Sequence, residues 1–537
     1  MLQLCFIGLT LALAANASPV YQQPLILPPH AVATKRVGII GMGAGGITAM
    51  RAIMSLPEEM RRGWEVVAFD ELSAVGGLWV PDDTPAAPPA LPKTPLYPGL
   101  KTNTAHPSMT APNVTYPPET PFLAPRAAVL KYWQDYNAAT ELAPHTQVLL
   151  KHHVERAEWI GDADSGHWRL SVRNLSHSNT SSSTFTFDHL IVAPGITRYP
   201  RIIHLEGQEE WLNTEKTITH SLWYRLPEEF TGQTVVVVGG GFSGHDISGR
   251  IAGAAKKVYW SRTVGEGAGT LPLPLPEGVE GVPRIANLHN GIVTLQDGTE
   301  LSDVTSILLA TGYEIRMPFL AASGLIEDAY GAAPPDRLST STNYVHPLYE
   351  HSLSLDHRYP LGALYFISLM TYNARGSTNT GQALFAAYTM ADPTLLDTRD
   401  NYYAALKRRE AAVRAEGYDP ARIGHRPGIG YGPLFGHLGD GPHQDLLVHA
   451  LRSRRPELAG YPGIPPFGIN FTEQWRAYGI DHFMDVLEGW NYGTRTYGAQ
   501  WEKDMVSGQR TEADYVETFH RFVDWWQHEK VTSTNTV

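Results

Sequence analysis

Two glycine-rich turns, 198 residues apart, constrain this 537-residue chain more than any other feature. The first is Gly41-Met42-Gly43-Ala44-Gly45-Gly46. The apolar run 37–41 before it reads as a buried parallel strand, and Ile47 to Ser55 after it reads as a helix. In that setting Gly41 permits the tight turn, Gly43 lets backbone approach a pyrophosphate, and Gly46 lets helix pack on strand. The positive end of the helix then faces the phosphates. Ala44 and Gly45 complete the expected binding turn. The next strand, Glu65 to Phe69, ends in Asp70, 24 residues after Gly46. A carboxylate there accepts hydrogen bonds from ribose hydroxyls, and Glu71 can share the task. The competing reading is a glycine-rich βα turn that binds nothing.

The second turn, Gly239-Gly240-Gly241-Phe242-Ser243-Gly244, follows Val235–Val238 and opens a helix expected over 243–255. The following strand, Lys257 to Trp260, ends in Ser261-Arg262, with no acid at the ribose position. A carboxylate would repel a 2′-phosphate, whereas Arg262 can hold one by charge-assisted hydrogen bonds. The second site, with Gly239, Gly241, Ser243, Gly244, Ser261 and Arg262, is therefore expected to prefer NADPH to NADH. The alternative is that Arg262 is a solvated surface charge.

Composition removes several classes. Lys+Arg number 42 against 54 Asp+Glu, a net charge of −12, which argues against a nucleic-acid binder. The single cysteine, Cys5, excludes a paired redox centre and a disulfide framework. Cys5 lies in the apolar stretch Leu2 to Ala15, too short for a membrane helix and followed by small residues and Pro19. This reads as a signal peptide, residues 1–17, although no Lys or Arg precedes it; a signal anchor or apolar tail is the alternative. The expected location is the secretory pathway, lumenal or extracellular. Sequons at Asn113, Asn174, Asn179 and Asn470 agree weakly with a secreted glycoprotein. No later segment is apolar enough to span a membrane.

Proline-rich residues 81–125 read as an extended insertion, 126–140 as a helix, 164–188 as a β-meander and Leu190–Ala193 as a strand. Beyond 395 the chain is rich in Tyr, Trp, Gly, Pro and His with few clean periods. A last helix is expected near 511–530, because Tyr515, Phe519, Phe522 and Trp526 share one face.

In combination the motifs resemble the flavin-containing monooxygenases over roughly residues 36–395. The first turn, Asp70 and Gly76-Gly77-Leu78-Trp79 look like that family's FAD half. Leu100-Lys101-Thr102-Asn103 resembles its L-x-T-N segment, Gly239–Gly244 with His245-Asp246-Ile247 its NADPH motif, Ala310-Thr311-Gly312-Tyr313 with Pro318-Phe319-Leu320 its ATGY link, and Gln382-Ala383 a late flavin-proximal pair. The family fingerprint is half present: His220 and Tyr224 fit, but Thr214 and Lys216 stand where Phe and Gly belong, and Ala193-Pro194-Gly195 replaces an ATG.

The resemblance implies an α/β fold of two doubly wound Rossmann-type dinucleotide-binding domains and an irregular C-terminal region. The expected order is an FAD domain at 35–198, an inserted NADPH domain at 199–315, the rest of the FAD domain at 316–395, and 396–537 packing on the core. It implies a monooxygenase in which NADPH reduces FAD and the reduced flavin forms a C4a-(hydro)peroxyflavin. That species would oxygenate a small organic substrate at a heteroatom or by Baeyer–Villiger insertion, with a ketone or aromatic polyketide slightly favoured. An oxidase releasing hydrogen peroxide and a low-turnover flavin-binding partner are the alternatives. Gly77, Leu78, Trp79, Val154, Thr311 and Gln382 join the expected cofactor-binding set. Asn103 is the catalytic candidate, because an amide both donates and accepts beside a reacting oxygen; its bland alternative is a turn-forming Asn. His220 reads as an inter-domain structural residue before a proton shuttle. His437, His443 and His449 lack acids in ligand spacing, so no metal is expected. Trp490, Trp501, Trp525 and Trp526 read as core before pocket wall.

Overall fold

The computed structural model describes residues 34–112, 114–176, 181–263, 273–371, 375–426, 440–466 and 474–534. The expected leader 1–17 with Cys5, the sequons at Asn113, Asn179 and Asn470, His437 and the side chain of His443 lie outside the described residues. Two largely parallel sheets carry the architecture. Strand Lys35–Ile40 pairs in parallel on both sides, with Trp64–Asp70 and with His189–Val192. A strand with parallel neighbours needs apolar residues on both faces; Val37, Ile39 and Ile40 are all buried. The full sheet has seven strands in the order 348–349, 353–354, 364–366, 189–192, 35–40, 64–70 and 146–150. Its first face packs against helices Ala44–Ser55, Arg126–Ala138 and Arg375–Ala391. Its second face is covered by the antiparallel strands His152–Gly161, Gly166–Asn174 and Ser182–Phe187.

The second sheet has five strands in the order 279–282, 257–261, 234–238, 306–309 and 217–220, every pair parallel. Its strands all come from the stretch between strands 189–192 and 364–366 of the first sheet, which pair with one another. Helix Phe242–Ile251 lies on one face of it. The strands 285–289, 292–295 and 300–301 form a small antiparallel sheet that contributes to the core on the other face.

The chain beyond 395 corrects the expectation of irregular structure. It is largely helical among the described residues, with helices at Arg399–Ala415, Asp440–Arg454, Gln474–Asp481, Phe483–Tyr497, Ala499–Met505 and Glu512–Thr534. Aromatic packing explains why the period was hidden. Gly489 and Gly493 break the apolar pattern of helix Phe483–Tyr497, yet a Cβ on either would run into the indoles of Trp526 and Trp501. Tyr515, Phe519, Phe522 and Trp526 do share a buried face, joined there by Trp490. Among the described residues, no helix is long and apolar enough to cross a membrane.

Candidate functional site

The first turn opens into a cavity of about 330 Å³. Gly41, Gly43, Ala44, Gly45, Asp70, Gly77, Leu78, Trp79 and Val154 all line it. Gly41 has φ +94°, and a Cβ there would lie 2.3 Å from the Ala193 carbonyl oxygen, so only glycine makes this turn. Gly43 caps helix Ala44–Ser55 without any side-chain hydrogen bond, which leaves the helix N-terminus to a ligand. Gly46 is buried behind the turn, against Gly41.

Asp70 sits at the end of its strand and accepts from the Met42 amide (2.6 Å) and the Leu72 amide (2.8 Å). A carboxylate offers about four acceptor sites, so these bonds orient it and still leave capacity for ribose. Burial raises its pKa to about 6, against the opposing pull of those amides. The neighbouring Glu71 is held below the usual carboxylate range, chiefly by the hydrogen bond from His153 (3.2 Å), with Arg198 3.2 Å away adding charge. Arg198 also donates to the Pro92 carbonyl oxygen (3.0 Å), so the proline-rich insertion closes over this end of the cavity.

Gln382 is placed one step behind the wall rather than on it. Its Oε1 accepts from the Ser368 amide (3.2 Å), and Ser368, at φ +71°, is the residue that reaches the cavity. Ser368 and the ring of Lys93, His152, Arg198 and Arg316 carry no motif, and sequence reasoning missed them.

A second cavity, of about 590 Å³, lies beside the first. Trp79 lines both. Asn103 faces this cavity together with Thr102, Phe242, Ser243, His245 and Asp246, so the L-x-T-N segment meets the helix that follows the second turn. The Tyr97 hydroxyl donates to Asp246, and Arg250 donates to the same carboxylate (2.7 Å) and to the Gly99 carbonyl oxygen (2.8 Å). These bonds fix the second unit against loop 97–104.

The second turn repeats the first. Gly241 caps its helix with no side-chain hydrogen bond, and a Cβ there would meet only open space. Arg262 lies beside Gly240, stacks 4.0 Å over Trp260 and donates to the Leu273 carbonyl oxygen (2.6 Å). Ser261 is buried, and its hydroxyl donates to the Pro283 carbonyl oxygen (2.9 Å). Thr311 likewise donates to the Arg201 carbonyl oxygen (2.5 Å) and braces the crossover between the sheets. Gly239, Gly241 and Gly244 do not line the second cavity.

The half-present fingerprint has a structural reading. His220 Nε2 donates to the Gly312 carbonyl oxygen (3.0 Å), and Nδ1 accepts from the Leu222 amide (3.0 Å). Both ring nitrogens are committed, and burial pushes the pKa to about 4, so the ring is neutral near pH 7. Tyr224 meets Tyr97 edge to face at 4.8 Å. Lys216 donates to the Gly291 carbonyl oxygen and lies 4.4 Å over Trp211; Thr214 donates to the Trp211 carbonyl oxygen (2.6 Å). These two substituted residues work locally, away from both cavities.

The residues fit the two cofactors. An uncapped helix N-terminus, a glycine cradle and ribose acceptors suit FAD at the first turn, and an uncapped, open turn beside Arg262 suits NADPH at the second.

Comparison with known proteins agrees. The chain is 30% identical over 331 residues to "Flavin-containing monooxygenase FMO GS-OX5" of Arabidopsis thaliana, covering 59% of this chain and 65% of that protein. It is 28% identical over 359 residues to "Flavin-containing monooxygenase iboF" of Amanita muscaria (strain Koide BX008), covering 53% of this chain and 66% of that protein. The chain thus spans just under two thirds of the length of these curated relatives. The solved S-allyl-L-cysteine S-oxygenase from Allium sativum superposes with a TM-score of 0.66 at 20% identity, over 91% of this chain and 99% of that one, a likeness of fold. Residues 34–268 match the model of the FMO-like family, described as flavin-binding monooxygenase-like.

Proposed function

We propose that the chain is an FAD- and NADPH-dependent monooxygenase of small organic molecules. Substrate, dioxygen, NADPH and a proton would give oxygenated substrate, water and NADP+, the two electrons coming from NADPH. The single observation that carries this reading is Trp79, which lines the cavity of the first turn and also the cavity that Asn103 and Ser243 share. That arrangement supports passage of reducing equivalents from one nucleotide to the other beside a space for substrate.

Bound FAD would supply two-electron uptake from NADPH and the activation of dioxygen. The chain's own residues supply placement. The first helix N-terminus would hold the pyrophosphate, Asp70 and Glu71 the ribose, and Arg262 the 2′-phosphate of NADPH. Asn103 would donate a hydrogen bond where negative charge develops on oxygen. The apolar wall of Leu100, Leu123 and Phe242 would keep water from that place. The expected ketone or aromatic polyketide substrate and routing through the secretory pathway belong to this proposal, not to what the comparisons support.

The test supplies FAD-loaded protein with NADPH, isotope-labelled dioxygen, and methyl phenyl sulfide or cyclohexanone in turn. One labelled oxygen in sulfoxide or lactone, at one NADPH per product, is the expected result. Hydrogen peroxide equal to NADPH consumed with every substrate overturns the proposal in favour of an oxidase.

A further inference from the structure

The second cavity has a wall from a distant part of the chain. Leu487 and Asn491 line it, four residues apart on helix Phe483–Tyr497 and so on one helical face. This helix lies outside the segment that carries the family match. The next stripe of the same helix anchors it. Glu502 Oε1 accepts from Trp490 Nε1 (3.1 Å), from the Thr494 hydroxyl (2.6 Å) and from Lys101 Nζ (2.7 Å). Lys101 lies two residues before Asn103, so one carboxylate ties the C-terminal helices to the loop that carries the catalytic candidate. Trp490 is buried, with Phe122 at 5.3 Å and Phe522 at 5.7 Å, which keeps the wall from shifting.

The charges lining this cavity are met within the protein. Asp246 is bonded by Arg250 and Tyr97, Arg250 also by Gly99, and Lys101 by Glu502. His245 is kept neutral near pH 7 by burial, against the opposing pull of Asp246. A charged ligand would give up hydration here without gaining an unpaired counter-ion.

We propose that helix Phe483–Tyr497 is the substrate-selecting wall of the second cavity, with Leu487 and Asn491 as its specificity-determining residues and uncharged, largely apolar organic molecules as its ligand class. The proposal rests on the monooxygenase reading for its biological meaning, but binding tests it independently.

The experiment uses the FAD-loaded full chain and titrates methyl, butyl and octyl phenyl sulfide, and para-(methylthio)benzoate as the charged arm. Tryptophan fluorescence and the flavin spectrum report binding; Trp79 is the indole at both cavities. Leu487→Ala enlarges the wall, and Asn491→Leu makes an exposed position apolar, so the second variant folds even if the first does not. Each is expected to raise the octyl-to-methyl affinity ratio by roughly tenfold, the scale of one or two methylenes in an apolar pocket. Leu142→Ala, exposed and outside both cavities, is expected to leave the ratio unchanged. The benzoate is expected to bind at least tenfold more weakly than methyl phenyl sulfide. A ratio that stays within twofold in both wall variants overturns the proposal, as does tight benzoate binding. Shifted binding without oxygenation keeps this inference and removes the monooxygenase reading; oxygenation with an unshifted ratio does the reverse.

Discussion

The two glycine turns are nearly superimposable in logic, yet their surroundings differ. Gly41 and Gly239 both have positive φ, +94° and +128°. A Cβ on Gly46 or Gly244 would lie 1.8 Å or 2.1 Å from the carbonyl oxygen of that first glycine. The middle glycines part company. A Cβ on Gly43 would meet the Gly77 backbone at 3.4 Å, whereas one on Gly241 would meet nothing. The first turn is roofed by Gly77–Trp79 and closed by Asp70; the second is open and flanked by Arg262. A roofed turn suits a nucleotide that stays, and an open one suits a nucleotide that arrives, reacts and leaves.

The sharpest way to break this contrast is to block each turn in the same manner. Gly46→Ala should cost at least ~3 kcal/mol and yield protein that retains no flavin, read by absorbance and melting temperature. Gly244→Ala should keep its flavin yet lose reduction by NADPH, read by anaerobic stopped flow. Equal loss of flavin in both variants would erase the distinction. Next in size, Arg262→Ala should raise the KM for NADPH by at least about tenfold, the worth of a hydrogen bond to a charged group, with the NADH value little changed.

Asp70→Asn sharpens the other side and should weaken FAD binding by about tenfold. The raised pKa gives this position a pH signature. FAD binding favours the ionised carboxylate, so wild-type affinity is full above about pH 6 and falls as pH drops below it. The apo-protein behaves in the opposite sense. A carboxyl whose folded pKa is raised adds stability at low pH and loses it as pH rises from the usual 3.8 through about 6. Both slopes should vanish in Asp70→Asn, measured by flavin titration and by thermal melts spanning the interval from below pH 3.8 to above about pH 6. Smallest of all, His220→Gln should cost about 1 kcal/mol, one neutral hydrogen bond, and should remove no inflection from the rate profile between pH 5 and 8. A lost inflection there would restore the proton-shuttle reading.

What could be read from the sequence was local. The turns, their strands and the switch from Asp70 to Arg262 are short-range patterns, and the structure places them as the spacing implies. What escaped was set by distant contacts. Ser368 reaches the first cavity through a left-handed backbone that nothing near it in sequence announces. Glu502 meets Lys101 across 401 residues. The C-terminal helices were hidden by the glycines that make room for their indoles.

Strand His189–Val192 lies between Lys35–Ile40 and Leu364–Phe366. During synthesis it therefore waits with one edge open until the whole five-stranded sheet has left the ribosome. Such distant pairing slows folding and leaves an edge that can capture other chains. A chain cut before residue 364 should aggregate even though both glycine turns are present, and early nucleotide capture at the first turn would be its protection.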